Sequence, residues 1–442
     1  MNNSDLRQNK DAVDDLYKFF NPHYLMILGA PDVFPHQDLD NPVYKRDGDD
    51  DVHALSDLPY ACDIPYSRDT ARFVGPTRVV GRLPDMSGAG EPSYLLSVLK
   101  TAAEYKSRTP DSYKDYFGLS TVLWQTSTQL SLNKMFGNAD KLLISPSSGP
   151  NYPNGELHNL IHFINCHGFI ASPAFYGQDD KGFSISLNTQ STSKILDGTI
   201  AAVECCYSGE LYDSVTLRID KPICQSYLQQ GCYGYFGSTT ISYGPPTKNA
   251  DADLICQYFL QSVLAGASLG HAALIARQQF IGHTAQMDPI DLKTLAQFYL
   301  LGDPSIHPID EPIATIVPSG TAMADAQRFF RAERRDKMKL AGQFLNQTKP
   351  TASKRMTTGK LSESTRSVLS NIAKLTGLRE ELTFTPYAIK RRSTKVADLP
   401  SRYLVAIGKP ERETAQKVNY GIAIVAKELN GQIIGYRVYH QR

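Results

Sequence analysis

The chain has 442 residues, about three times a typical single domain, so two or more folded units are expected. Hydrophobic residues at 41% and charged residues at 21% are ordinary globular usage and exclude collagen-like, coiled-coil and wholly disordered readings. The net charge of +1 conceals an asymmetry: residues 331–442 hold 23 Lys and Arg against 9 Asp and Glu, a surplus of +14, while residues 1–330 hold 23 against 36, or −13. Regions of opposite sign either dock on each other or recruit different partners, and a boundary is expected near residues 315–345.

No run of about 18 apolar residues is present, so no membrane-spanning helix is expected. The polar start, MNNSDLRQNKDAVDD, lacks the apolar core of an export signal, and 7 cysteines are too sparse for a disulfide scaffold. The expectation is a cytoplasmic protein with reduced thiols and no membrane partner.

In chain order, residues 24–28 (YLMIL, closed by Gly29) and 77–80 read as strands, and residues 92–106 as a helix with Pro at its entry. Further apolar runs at 120–124, 142–144, 160–165, 200–204 and 232–237 are separated in several places by helical patterns, notably 251–279. That alternation predicts an α/β fold: a largely parallel sheet flanked by helices, with its chemistry in the loops beyond the carboxyl ends of strands. Past residue 318 come a charged helical pattern (320–346), a polar linker (346–360) and a short amphipathic helix (362–375). Two alternating runs then flank Asn430-Gly431, a hairpin signal, so the tail predicts a small basic α+β unit. The expected division is 1–318 (two subdomains, about 1–118 and 119–318), 319–361 as helix and linker, and 362–442.

Two strand ends carry chemistry. Residues 160–168, LIHFINCHG, close on His167-Gly168; residues 200–209, IAAVECCYSG, close on Glu204, Cys205, Cys206 and a Ser-Gly turn. The separation of His167 and Cys206 suits one crossover between neighbouring parallel strands, which brings an imidazole and a thiol into one cleft. Glycines beside both let backbone N–H groups approach a substrate carbonyl. No zinc framework fits the cysteine and histidine spacing.

This pattern resembles the caspase-like clan of cysteine peptidases and, over residues 20–310, the gingipain family. The supporting stretches are Gly29 with 33–35 (VFP), 56–60 (SDLPY), 80–84 (VGRLP) ahead of the Lys100 to Glu104 helix, 237–240 (GSTT) and 298–305 (FYLLGDPS). The resemblance implies His167 as general base, Cys206 as nucleophile and the N–H groups of Gly168 and Cys206 as oxyanion donors. Cys205 would face the opposite side. Glu204 would pair with a basic substrate residue, with Ser238 beside the pocket and Tyr243 as an aromatic lid. Glu104 would orient the histidine, with Asp111 and Asp115 as alternatives. No cofactor is implied, and structural calcium is left open.

The expected function is a cysteine endopeptidase cleaving protein substrates after Arg or Lys through a thioester. It would be restrained by a partner, a ligand or self-processing (Lys354-Arg355 and residues 390–392 being basic sites), as in bacterial defence. The alternative is a regulated or inactive peptidase-fold module whose basic C-terminal unit recruits a partner or nucleic acid, although no nucleic-acid motif accompanies that charge.

Overall fold

The computed structural model of the chain describes residues 5–46, 48–153, 155–284, 286–310, 351–356, 361–378, 382–389, 401–409 and 421–442. Among these, eight strands form a central sheet in the spatial order Leu25–Leu28, Val80–Leu83, Phe298–Leu301, Gly234–Ser238, Ile200–Val203, Ile161–Asn165, Tyr116–Thr121 and Leu142–Ser145. The first three run parallel to one another, as do the last five, and the two blocks meet antiparallel between Phe298–Leu301 and Gly234–Ser238.

Near-continuous apolar runs are what a parallel sheet covered on both faces requires. Ile161, Phe163, Ile200 and Ala202 face one cluster, with Leu254, Ile255 and Phe259 of helix Asp251–Leu264. Ile164, Ala201 and Val203 face the other, with Tyr94 and Val98 of helix Ser93–Glu104 and Tyr227 of helix Ile223–Gln229. The fold class is therefore mixed α/β, with a largely parallel central sheet between helices.

One strand is displaced from its expected position. Residues 77–80 read as a strand and 81–84 as its exit, but Val80–Leu83 is the strand. The reason is Arg82, which looks like a polar exit residue yet is buried. Its Nε and Nη2 donate to Asp57 at 2.8 and 2.7 Å, and Nη1 donates to the carbonyls of Gly29 and Phe34. Burial alone would raise the Asp57 carboxyl; Arg82 and His36 beside it hold it below the ordinary carboxylate range. The VGRLP and SDLPY stretches are thus joined by one buried ion pair. The run 120–124 also divides: its strand ends at Thr121, and Val122–Trp124 is a 3₁₀ turn leading into helix Gln125–Phe136.

A second, seven-membered sheet has the order Tyr243–Gly244, Gln432–Gln441, Ile422–Leu429, Ser401–Gly408, Thr385–Ile389, Thr351–Arg355 and Gln286–Met287. The hairpin turns at Asn430 and Gly431, both with positive φ (51° and 78°). One face packs on helix Glu363–Leu375. The other packs through Tyr387, Val405, Val425 and Tyr439 onto Cys206, Ile241, Tyr243 and Ile290 of the central-sheet region. Both edge strands are supplied by the central-sheet region, so the two regions are stitched together. Thr351–Arg355 is a strand where composition reads as linker, and Lys354 and Arg355 lie paired with Ala388 and Tyr387. The helical pattern at 320–346, the expected boundary at 315–345 and the basic residues 390–392 lie outside the described residues.

Candidate active site

Strand register builds the site. Ile200–Val203 and Ile161–Asn165 are parallel neighbours with Val203 opposite Ile164. His167 and Cys206 each lie three residues past that pair, so both emerge at the same height beyond the carboxyl end of the sheet. Gly168 packs on the carbonyl of Cys206 so closely that an added Cβ would overlap the oxygen. Cys206 is followed by Tyr207 with φ of 55°, a left-handed conformation that turns the chain sharply. Ser208 and Gly209 pin this turn: Ser208 Oγ donates to Val203 O at 3.0 Å, and Gly209 N–H donates to Ser238 O at 2.7 Å.

The adjacent thiols face opposite sides. Cys205 lies in the apolar cluster with Ile164 and Cys166, its sulfur accepting the Cys166 N–H at 3.3 Å. Cys206 lies against the C-terminal sheet, its sulfur accepting the Ser242 N–H at 3.2 Å. Burial pushes the Cys206 thiol up to about 12, opposed by its Ser242 hydrogen bond and by the nearby Lys293 ammonium. His167 packs between the rings of Trp124 (4.6 Å) and Phe183 (4.7 Å), and its Nε2 lies 2.8 Å from Gln178 Oε1. Burial lowers the imidazole to about 3, so it is neutral near pH 7. With the Gln178 oxygen as acceptor, the ring proton sits on Nε2 and Nδ1 keeps its lone pair.

The site holds an occupant from its own chain. Arg442 is 1% exposed, and its guanidinium ion-pairs with Glu204 and with Asp253 Oδ2 at 2.5 Å. The indole of Trp124 lies 5.2 Å from its Cζ, a cation–π contact. Gly244 forms the near wall, where any Cβ would overlap the guanidinium. The Arg442 N–H donates to Ser242 O at 3.1 Å, and the Arg442 carbonyl accepts the Cys206 N–H at 3.3 Å. Asp253 belongs to the first turn of helix Asp251–Leu264, and its Oδ1 accepts from Asn165 Nδ2 at 3.2 Å.

An acidic loop braces the Cys206–Gly209 turn from outside. Lys293 bridges Asp49 (2.5 Å) and Asp51 (3.1 Å), all three buried or nearly so. Asp51 accepts the Tyr207 hydroxyl and the Ile241 N–H, both at 2.8 Å. Asp49 accepts the Tyr243 hydroxyl at 3.0 Å.

Several expected site residues take other roles. Glu104 does not orient His167; it is 68% exposed on its helix, 4.0 Å from Lys100, and lines a cleft with Arg108, Asp197 and Tyr233. Asp197 and Tyr233 precede their strands, so that cleft is at the amino end of the sheet, opposite His167. Asp115, ion-paired with Lys141, and Asp111 also precede their strand. Gln178 holds the histidine instead. Tyr243 is no lid: its hydroxyl turns to Asp49, and Trp124 supplies the aromatic face over the guanidinium. Ser238 is buried, its hydroxyl donating to Thr240 O at 2.8 Å and its N–H donating to Ser208 Oγ at 2.9 Å. Of the two expected oxyanion donors, the Cys206 amide holds the Arg442 carbonyl, while Gly168 packs on the Cys206 carbonyl. Asp253, Trp124 and Ser242 were missed by pattern alone; the chain's single tryptophan closing an apolar run was the available signal.

Among the described residues no cluster could hold a metal, and no helix is long and apolar enough to cross a membrane. No family model and no curated protein matches the sequence. Among solved structures, the chain is similar to one described as "Structure of Protease", at 11% identity and a TM-score of 0.47, covering 98% of this chain and 87% of that one. It is also similar to the Saccharomyces cerevisiae separase–securin complex, at 12% identity and a TM-score of 0.30, covering 52% of this chain and 14% of that one.

Proposed function

We propose that the chain is a cysteine endopeptidase of caspase-like architecture, with gingipain-like motifs, that cleaves protein substrates after arginine and less readily after lysine. The observation that carries this reading is the seating of Arg442, with its carbonyl on the Cys206 N–H and its guanidinium between Glu204 and Asp253. A planar guanidinium can engage both carboxylates while its face lies on Trp124; a lysine ammonium offers only a point charge.

In this mechanism His167 takes the Cys206 proton, and Sγ attacks the carbonyl carbon of the substrate arginine. The amides of Cys206 and Gly168 hold the developing oxyanion. The C–N bond breaks as His167 returns the proton to the leaving amine, leaving a thioester. Water, deprotonated by His167, releases the acid and restores the thiol. Fluorogenic peptides varied in the residue before the scissile bond test the proposal in chains carrying Arg442→Ala, which vacates the pocket. Cys206→Ala should reduce turnover of arginine peptides to background, and Cys205→Ala should leave most of it. Equal loss in the two would remove Cys206 from the nucleophile role.

A further inference from the structure

The strand that fills the cleft makes the contacts of a bound peptide. Gln432–Gln441 pairs antiparallel with Tyr243–Gly244, placing Gln441 opposite Tyr243 and His440 opposite Gly244. Adding an extended segment to an exposed strand is a common way of binding peptides, main chain supplying affinity and one side-chain pocket supplying specificity. Both are in use here. The backbone of Arg442 is held on both sides, its N–H by Ser242 O and its carbonyl by the Cys206 N–H. Its side chain fills the acidic pocket.

The ties continue outward: the Tyr439 hydroxyl donates to Asp288 Oδ2 at 2.9 Å, and Arg437 lies 3.7 Å from the same carboxylate. These contacts join the basic tail to the acidic region, and their register ends at the Cys206 N–H. A peptide bond following Arg442 would be the bond offered to Cys206.

Resting on the peptidase reading above, we propose that residues 439–442 are the site's tethered ligand, an inhibitory segment held in cis that has to withdraw before a peptide with a basic residue can enter. The two ligands need the same pocket and the same Tyr243–Gly244 edge, so their binding is exclusive. A short tether gives the internal ligand an effective concentration on the order of millimolar, which a free peptide has to overcome.

The test uses binding, so that it does not depend on turnover. A fluorophore-labelled peptide Tyr-His-Gln-Arg with a free carboxylate is titrated by anisotropy against the full chain carrying Cys206→Ala, with and without Arg442→Ala. The expected result is at least about tenfold tighter binding when Arg442 is replaced, from the lost competition. Deletion of residue 442 alone should give the same gain, and a peptide ending in alanine should bind neither chain. Equal affinity for the two chains, or binding to neither, overturns the proposal. The peptidase reading fails separately: an Arg442→Ala chain with Cys206 intact would then gain peptide affinity and cleave no arginine reporter.

Discussion

The two ends of the central sheet carry similar charged groups in opposite settings. At the amino end, Glu104, Lys100, Arg108 and Asp197 line an open cleft, and their ion pairs at 4.0 and 3.1 Å are largely solvated. At the carboxyl end, Glu204, Asp253 and Arg442 are fully buried. Exposed pairs contribute between about 0 and 1 kcal/mol, whereas removing one partner of a buried pair leaves a charge with neither water nor counterion. The difference teaches where charge has consequences: the groups lining the amino-end cleft stay in water, whereas Glu204, Asp253 and Arg442 are held out of it. The buried end depends on the C-terminal sheet for its cation, so the acidic pocket and the basic tail form one electrostatic unit.

The sharpest way to break this contrast is to remove one buried charge. Glu204→Ala, with Arg442 retained, should destabilise the fold by about 3–5 kcal/mol, read as a fall in urea midpoint. Adding Arg442→Ala should cost less than Arg442→Ala costs alone, because only Asp253, and no longer both carboxylates, is then left without its cation. Additive losses would mean that the two side chains do not share a buried pair.

Acid provides the next test. His167 is neutral in the fold because burial lowers its pKa to about 3, against 6.5 for an ordinary histidine. Between those values the unfolded chain binds a proton that the folded chain does not, so stability falls as pH drops from 6.5 towards 3. The slope for this one group is about 1.4 kcal/mol per pH unit. Urea midpoints at pH 6.5 and 5 should therefore fall further in the wild type than in His167→Gln. Parallel curves would mean that the ring is reached by water and titrates normally.

How much of this was legible in the sequence differs between the two ends of the chain. His167 and Cys206 were readable because each closes an apolar run, and a parallel sheet converts that local feature into spatial proximity. Cys205 followed from the period of two. Asp253 was not readable: an aspartate in the first turn of a helix is a common response to the helix dipole, with nothing local to mark it as a pocket floor. Trp124 looked like the end of a strand, though it lies in the 3₁₀ turn beyond it. Thr351–Arg355 has the polar composition of a linker and becomes a strand only because Tyr387 and Ala388 pair with it. Arg442 shares no local pattern with Glu204; its place exists only once the tail hairpin is laid against Tyr243–Gly244.

Gln178 offers a smaller and more specific test. It contacts the imidazole through one hydrogen bond and fixes which nitrogen carries the proton. Gln178→Ala should lower kcat between about ten- and a hundredfold with little change in KM, measured in the Arg442→Ala background, because ring orientation and not peptide binding is lost. Gln178→Glu should keep the acceptor and shift the acid limb of the rate profile upward, since a carboxylate favours the protonated ring. A KM change alone would move Gln178 from the histidine to the substrate.

The smallest expected effect is at Glu104, the residue whose motif position suggested a catalytic part. On the exposed face of helix Ser93–Glu104 it lies 4.0 Å from Lys100. A solvated i, i+4 pair contributes about 0.3–0.5 kcal/mol, and salt screens it further. Glu104→Gln should shift stability by less than about 0.5 kcal/mol and leave kcat/KM on arginine peptides within about twofold. A loss approaching that of Gln178→Ala would require coupling across the full length of the strands. The neutral result would separate a solvated charge from Glu204, Asp253 and His167, which the fold keeps out of the water that would otherwise screen them.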